Sequence, residues 1–163
     1  MKLRIGVVGI GAHGRHHVRL LSQMEGIELA GVFDIDAAVT TATAAGFGAA
    51  SCPSLDELLG RVDCVSVAVP TTSHCDVVMR CLEAGCHVLV EKPIALSVSE
   101  AESMVGEAKR RGLVLSVGHI ERFNSAYRSA GDAGASPVFI ESHRLAVYNP
   151  RGTDVAVVLD LMI

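Results

Sequence analysis

The sequence has no tryptophan, only four phenylalanines and two tyrosines, so any core it builds is aliphatic rather than aromatic. No apolar run approaches the roughly 20 residues needed to span a bilayer. The start, Met1-Lys2-Leu3-Arg4-Ile5, leads at once into a glycine-rich turn rather than a cleavage site, which argues against a secretory leader. There is no basic excess either: 14 Lys and Arg stand against 18 Asp and Glu, a formal net charge of −4, which leaves no electrostatic footprint for nucleic acid or a membrane surface. The five cysteines, Cys52, Cys64, Cys75, Cys81 and Cys86, are odd in number and contain no C-x-x-C pair, so neither a disulfide framework nor a zinc site is expected. Repeats and low-complexity tracts are absent as well. These absences lead to the expectation of a cytoplasmic protein with no nucleic-acid or membrane partner.

What is present is a chain of 163 residues, 50% apolar and 20% charged, rich in Ala, Val, Leu and Gly. That suits buried parallel strands covered by helices. Leu3–Val8 is a short apolar run ending at Gly9, and 12–24 then allows a helix. Ile27–Phe33 reads as a strand, followed by an alanine-rich helix near 37–45. Ser54 and Glu57 have capping-box spacing before Leu58 and Leu59. Val62–Val69 reads as a buried strand, 73–84 as a helix with Val77, Val78, Cys81 and Leu82 on one face, and His87–Val90 as the next strand. Ser97 and Glu100 open a helix that runs to near Arg111, Gly112 ends it, and Leu113–Val117 forms the last strand.

Strands alternating with helices imply βαβ units, so the predicted fold class is α/β, a doubly wound parallel sheet. The dinucleotide-binding domain is expected over residues 1–120. After residue 120 a polar segment, 121–128, and a Gly/Ala/Ser/Pro stretch, 131–137, precede the apolar runs 138–147 and 155–163. Residues 121–163 are therefore expected to hold a linker and the beginning of a second, substrate-facing domain. The chain stops inside the last apolar run without a cap or polar tail, which leads to the expectation that more sequence follows.

Gly9-Ile10-Gly11-Ala12-His13-Gly14 matches G-x-G-x-x-G between a predicted strand and a predicted helix. In that setting the first glycine makes the tight turn, the second admits a pyrophosphate and the third lets helix and strand approach. The unpaired N–H groups of the helix would hold the phosphates. Twenty residues after Gly14, Asp34 ends the second strand, where its carboxylate can accept hydrogen bonds from ribose hydroxyls. No Lys or Arg follows it in Ile35-Asp36-Ala37-Ala38, and a carboxylate there repels a 2′-phosphate, so NAD is favoured over NADP. Two alternatives stay open: a glycine turn that only packs a helix, and an Asp34 that points to solvent while Asp36 or a backbone amide meets the ribose.

Pro70-Thr71-Thr72-Ser73-His74 and Glu91-Lys92-Pro93 each follow a predicted strand, at the carboxyl edge where open α/β sheets bind ligands. Pro70, Thr71, Thr72, His74, Glu91 and Lys92 are thus candidates for the nicotinamide end. Near a cationic ring a lysine's pKa falls, which suits Lys92 to general acid or base work; the alternative is a solvated Lys92 paired with Glu91. His119 either lines the same cleft or caps a helix. His13, His16 and His17 crowd the first helix, but His16 and His17 are sequential and point in different directions, so all three are expected at the surface with no metal between them.

In order and spacing, the glycine turn, the Pro70–His74 loop, the run Ala84-Gly85-Cys86-His87-Val88-Leu89-Val90-Glu91-Lys92-Pro93 and the strand end Val117-Gly118-His119 resemble the Gfo/Idh/MocA family, named for glucose-fructose oxidoreductase and inositol dehydrogenase. Glu-Lys-Pro after that strand is a hallmark of the family rather than of Rossmann folds in general. The resemblance implies a Rossmann domain followed by an α/β domain with a large open sheet for substrate and oligomer contacts, and NAD(P)-linked oxidation of a sugar or polyol hydroxyl. The stretches 118–124 and 154–163 look like a bacterial and archaeal branch that includes UDP-N-acetylglucosamine 3-dehydrogenases. Ser125 departs from that branch, whose members usually have Pro there. The family's Asp-x-x-x-His motif works with the Glu-Lys-Pro lysine at the reacting carbon; Asp160 matches its aspartate, and the histidine would fall one position beyond Ile163. The resemblance thus implies Lys92 and Asp160 as catalytic residues, hydride transfer from C3 of a UDP-N-acetylhexosamine, and a homo-oligomer. The other reading is a dinucleotide-binding module without turnover, a sensor or scaffold, which is also what this chain is expected to be by itself.

Overall fold

The computed structural model describes residues 2–132 together with Val138, Phe139, Glu141 and His143. Apolar runs of four to seven residues form the strands β1 (Leu3–Val8), β2 (Ile27–Phe33), β4 (Cys64–Val67) and β5 (His87–Val90), joined by the shorter β3 (Ala50–Ser51) and β6 (Leu115–Val117). All six pair in parallel in the order β3-β2-β1-β4-β5-β6. That is the doubly wound order, in which the direction of winding reverses between β1 and β4 and opens a crevice at the carboxyl edge. Helices cover both faces: α1 (Ala12–Leu21), α2 (Ala37–Phe47), α3 (Leu55–Leu59), α4 (His74–Glu83) and α5 (Val98–Arg111); α6 (Ser125–Asp132) follows β6 after a 3-10 turn, Ile120–Phe123.

Local chemistry sets the helix ends. Asp36 accepts hydrogen bonds from the N–H groups of Ala38 and Val39 to start α2, and Ser54 accepts one from Glu57 to start α3. Ser97 and Glu100 complete the capping box of α5, and Gly112 closes it in the left-handed conformation at φ 67°. The core divides across the sheet. On one side Leu58, Val65, Val78, Cys81, Leu82 and Met104 are buried with their neighbours; on the other, Val7, Ile10, Val18 and Val32. Burial pushes the Cys81 thiol up to about 12 and that of Cys64 to about 11, so these cysteines serve as small hydrophobes.

Several boundaries differ from expectation. α1 ends at Leu21 rather than Met24, β4 is confined to Cys64–Val67, and β6 begins only at Leu115. β3 has no apolar run to announce it; it forms because Gly31 and Val32 of β2 offer it a pairing edge. Among the described residues, no helix is long and apolar enough to cross a membrane.

Candidate dinucleotide and reaction site

The glycine turn lies at the crevice between β1 and β4. Gly9 takes φ 83°, and a Cβ there would lie 2.7 Å from the Ala68 carbonyl oxygen, so a side chain is barred on both counts. A Cβ on Gly14 would meet the backbone carbonyl of Gly9, which is how the helix comes so close to the strand. Gly11 is different: a Cβ there would meet no atom within 4 Å. The space before it is open, and α1 begins at this residue with no side-chain cap and no acid in its first turn. Its first N–H groups thus face that space with a partial positive charge, an arrangement that fits a pyrophosphate.

A cleft of about 480 Å³ extends from this turn. Ile10, Gly11, Ala12 and Arg15 form one wall, and Asp34, Ile35 and Asp36 contribute to the other. Asp34 Oδ2 accepts the Ile10 N–H at 2.6 Å and Oδ1 accepts the Asp36 N–H at 3.0 Å. The carboxylate is therefore held in the cleft and not turned to solvent, and its remaining lone pairs suit ribose hydroxyls. Asp36 is occupied as the α2 cap. Ile35 is 96% exposed, an apolar face beside the ribose position that suits a flat base. No cation follows Asp34 along the chain, but α1 brings Arg15 to the cleft from the other side, a placement with no local signal in the sequence.

The other candidates gather where β4, β5 and β6 end. Glu91 and Lys92 are half-buried, the Lys92–Pro93 peptide is cis, and Glu91 Oε2 accepts the Lys92 backbone N–H at 3.2 Å. Pro70, Thr71 and Thr72 lead into a single 3-10 turn, Thr71–Ser73, at the end of β4. His74 is only 1% exposed. Its Nδ1 lies 2.9 Å from the Pro93 carbonyl oxygen and its Nε2 3.0 Å from that of Val69. With both ring nitrogens on carbonyls, the buried His74 ties the Glu-Lys-Pro turn to the β4 loop. His119 is exposed at the end of β6, before the 3-10 turn Ile120–Phe123, and its side chain makes no capping hydrogen bond. His13 is exposed on the first turn of α1. Asp160 lies outside the described residues.

His17 corrects the expectation that all three α1 histidines sit at the surface. His16 is exposed, but His17 turns inward: Nδ1 is 2.6 Å from Ser66 Oγ and Nε2 is 2.9 Å from Glu91 Oε1. The signal was available, because Gly14, His17, Val18 and Leu21 follow the i, i+3, i+4, i+7 spacing of a sheet-facing stripe. Burial pushes the Glu91 carboxyl up, but the hydrogen bonds from His17 and the Lys92 N–H outweigh it and hold the group below the ordinary carboxylate value. Glu91 is thus a fixed anion beside Lys92. A further cleft of about 350 Å³ lies where α3 and α4 end, near Leu59, but its Arg80 and Asp56 are already paired at 2.6 Å.

A family model described as an oxidoreductase family with an NAD-binding Rossmann fold matches residues 3–119. The UDP-N-acetylglucosamine 3-dehydrogenase of Acidithiobacillus ferrooxidans is 41% identical over 162 residues, covering 99% of this chain and 51% of that protein. A solved structure of that enzyme superposes with a TM-score of 0.91 at 40% identity, over 99% of this chain and 54% of the other. Inositol 2-dehydrogenase 3 of Saccharopolyspora erythraea is 35% identical over 132 residues, 78% of this chain and 39% of its own length. GenD2 of gentamicin A biosynthesis, solved in complex with NAD, shares 34% identity and a TM-score of 0.79 over 83% of this chain and 39% of that one. The chain thus spans about half the length, or less, of these relatives. With the glycine turn, Asp34 and the Glu91-Lys92-Pro93 turn in their observed places, it belongs to the Gfo/Idh/MocA oxidoreductase family, whose NAD-binding Rossmann fold it carries.

Proposed function

We propose that the protein is an NAD-dependent dehydrogenase of nucleotide-activated N-acetylhexosamines, cytoplasmic and oligomeric, which oxidises the C3 hydroxyl. In this reading residues 1–120 bind the dinucleotide and residues 121–163 begin the substrate-facing domain. The observation that carries it is the half-buried Lys92 at the carboxyl edge, next to the crevice of the glycine turn and braced by Glu91. The similarity to UDP-N-acetylglucosamine 3-dehydrogenase over nearly the whole chain supports the substrate class.

The chain's own residues divide the work. Gly11 and the first N–H groups of α1 bind the pyrophosphate, and Asp34 holds the adenosine ribose. Lys92 takes the proton of the substrate hydroxyl as its carbon is oxidised; the family pattern assigns Asp160 to the same step. Bound NAD supplies the hydride acceptor. Glu91 accepts the Lys92 backbone N–H and so restrains the turn that carries the amine.

Full-length protein given NAD and UDP-N-acetylglucosamine should produce the NADH absorbance band, and Lys92→Met should remove it without weakening NAD binding. Absence of turnover across a panel of nucleotide sugars and polyols would sink the proposal. Assayed by itself, the present chain is expected to bind NAD without turnover, because walls that position a substrate are needed as well as a cofactor site.

A further inference from the structure

We propose that His17 is a positioning residue, one that couples the phosphate-binding helix α1 to the Glu91–Lys92 turn and so holds Lys92 in its working place. The inference rests on the reading of Lys92 as the proton-transferring group. It begins from an oddity of packing. The sheet-facing stripe of α1 is otherwise Gly14, Val18 and Leu21, and an imidazole there gives up hydration that only full hydrogen bonding restores.

Both ring nitrogens are satisfied, at 2.6 Å by Ser66 of β4 and at 2.9 Å by Glu91 at the end of β5. The two side chains of the pair are only 20% and 17% exposed. The network closes in either protonation state. With a neutral ring, the Ser66 hydroxyl donates to Nδ1 and Nε2–H donates to Glu91; with a charged ring, Nδ1–H donates to Ser66 Oγ instead. Glu91 is pinned on its other side too. Its second oxygen accepts the Lys92 N–H at 3.2 Å. The carboxylate is therefore held at both oxygens, and His17 sets where it points. α1 carries His17 one turn beyond the residues that face the phosphates, so any adjustment of the helix to a bound pyrophosphate reaches Lys92 through two hydrogen bonds.

Three variants and two readouts test this. His17→Leu fills the space without hydrogen bonds. His17→Gln offers an acceptor to Ser66 and a donor to Glu91. Ser66→Ala, the mildest change, removes only the Nδ1 partner. The first readout, amide hydrogen exchange at Lys92 with and without NAD, needs no turnover. We expect exchange about tenfold faster in His17→Leu, near wild type in His17→Gln, and a slowing by NAD that His17→Leu loses. In full-length protein, kcat should fall about tenfold in His17→Leu with KM for NAD and sugar within about threefold, and His17→Gln should recover most of it. Ser66→Ala should move both readouts about threefold in the same direction, and decides the matter if His17→Leu fails to fold. Unchanged Lys92 exchange, or a glutamine variant as impaired as the leucine one, overturns the coupling. A wild type that turns over no sugar while His17→Leu still speeds Lys92 exchange would refute the dehydrogenase reading and leave the coupling standing.

Discussion

Alanine at Gly11 and alanine at Gly14 add the same methyl group three residues apart, and the structure assigns them opposite consequences. At Gly14 the new Cβ would lie 2.9 Å from the Gly9 carbonyl carbon and nearer still to its oxygen, well inside the 3.4 Å at which ordinary contact begins. Both atoms are backbone, so no side chain can turn aside; α1 must move away from β1. Overpacking of this kind costs about 1–3 kcal/mol, a Tm lower by roughly 2–12 °C for a chain of this size. At Gly11 the Cβ meets nothing within 4 Å, and φ −69°, ψ −161° is extended backbone that any residue adopts. The entropy lost from the unfolded chain and the weaker alanine cap roughly cancel, so stability should stay within about 1 kcal/mol of wild type. That same open space is where the pyrophosphate belongs, so the methyl group should weaken NAD binding at least about tenfold, or roughly 1.4 kcal/mol. Urea unfolding and NAD calorimetry on the two variants read both quantities. A Gly11→Ala variant that binds NAD like wild type, or that unfolds as readily as Gly14→Ala, refutes this account of the turn.

Asp34→Ser should lower the ratio of NAD to NADP affinity at least about tenfold, because it removes the repelling carboxylate and leaves Arg15 on the opposite wall; calorimetry with both cofactors checks it, and an unchanged ratio means Asp34 is not the selector. Glu107 accepts hydrogen bonds from Arg110 and Arg111, which together hold its carboxyl down to about 2. A carboxyl depressed on folding contributes stability that is complete above its ordinary value and is lost as pH falls through the folded one. Glu107→Gln should therefore flatten the acid limb of urea stability between about pH 4.5 and 2, less so in high salt; an unaltered limb at low salt would show the ion pairs contribute nothing. Cys64 and Cys81, whose thiols burial pushes up to about 11 and about 12, should resist a thiol reagent at pH 8 until the chain is unfolded, and mass mapping of the label in native protein tests that.

The alternation of short apolar runs with helical stripes, the glycine turn between a strand and a helix, and the capping pairs Ser54/Glu57 and Ser97/Glu100 were all legible in the sequence. Each is set by residues within a few positions of one another, where the periods of strand and helix and the chemistry of helix ends act directly. The carboxyl-edge position of Lys92 followed from the same local pattern, since Glu91-Lys92-Pro93 comes directly after an apolar strand. Tertiary structure alone decided which of these pieces meet. The Ile10 N–H finds Asp34 across 24 residues, His74 reaches Pro93 across 19, and His17 meets Ser66 across 49. Arg15 joins the ribose cleft only because α1 packs beside the end of β2. β3 exists by pairing with β2 and not through any hydrophobicity of its own. The stripe Gly14, His17, Val18 and Leu21 turns His17 toward the sheet, but its partners Ser66 and Glu91 depend on strand order, which arises when the whole sheet buries both of its faces at once and which no short stretch of the chain encodes.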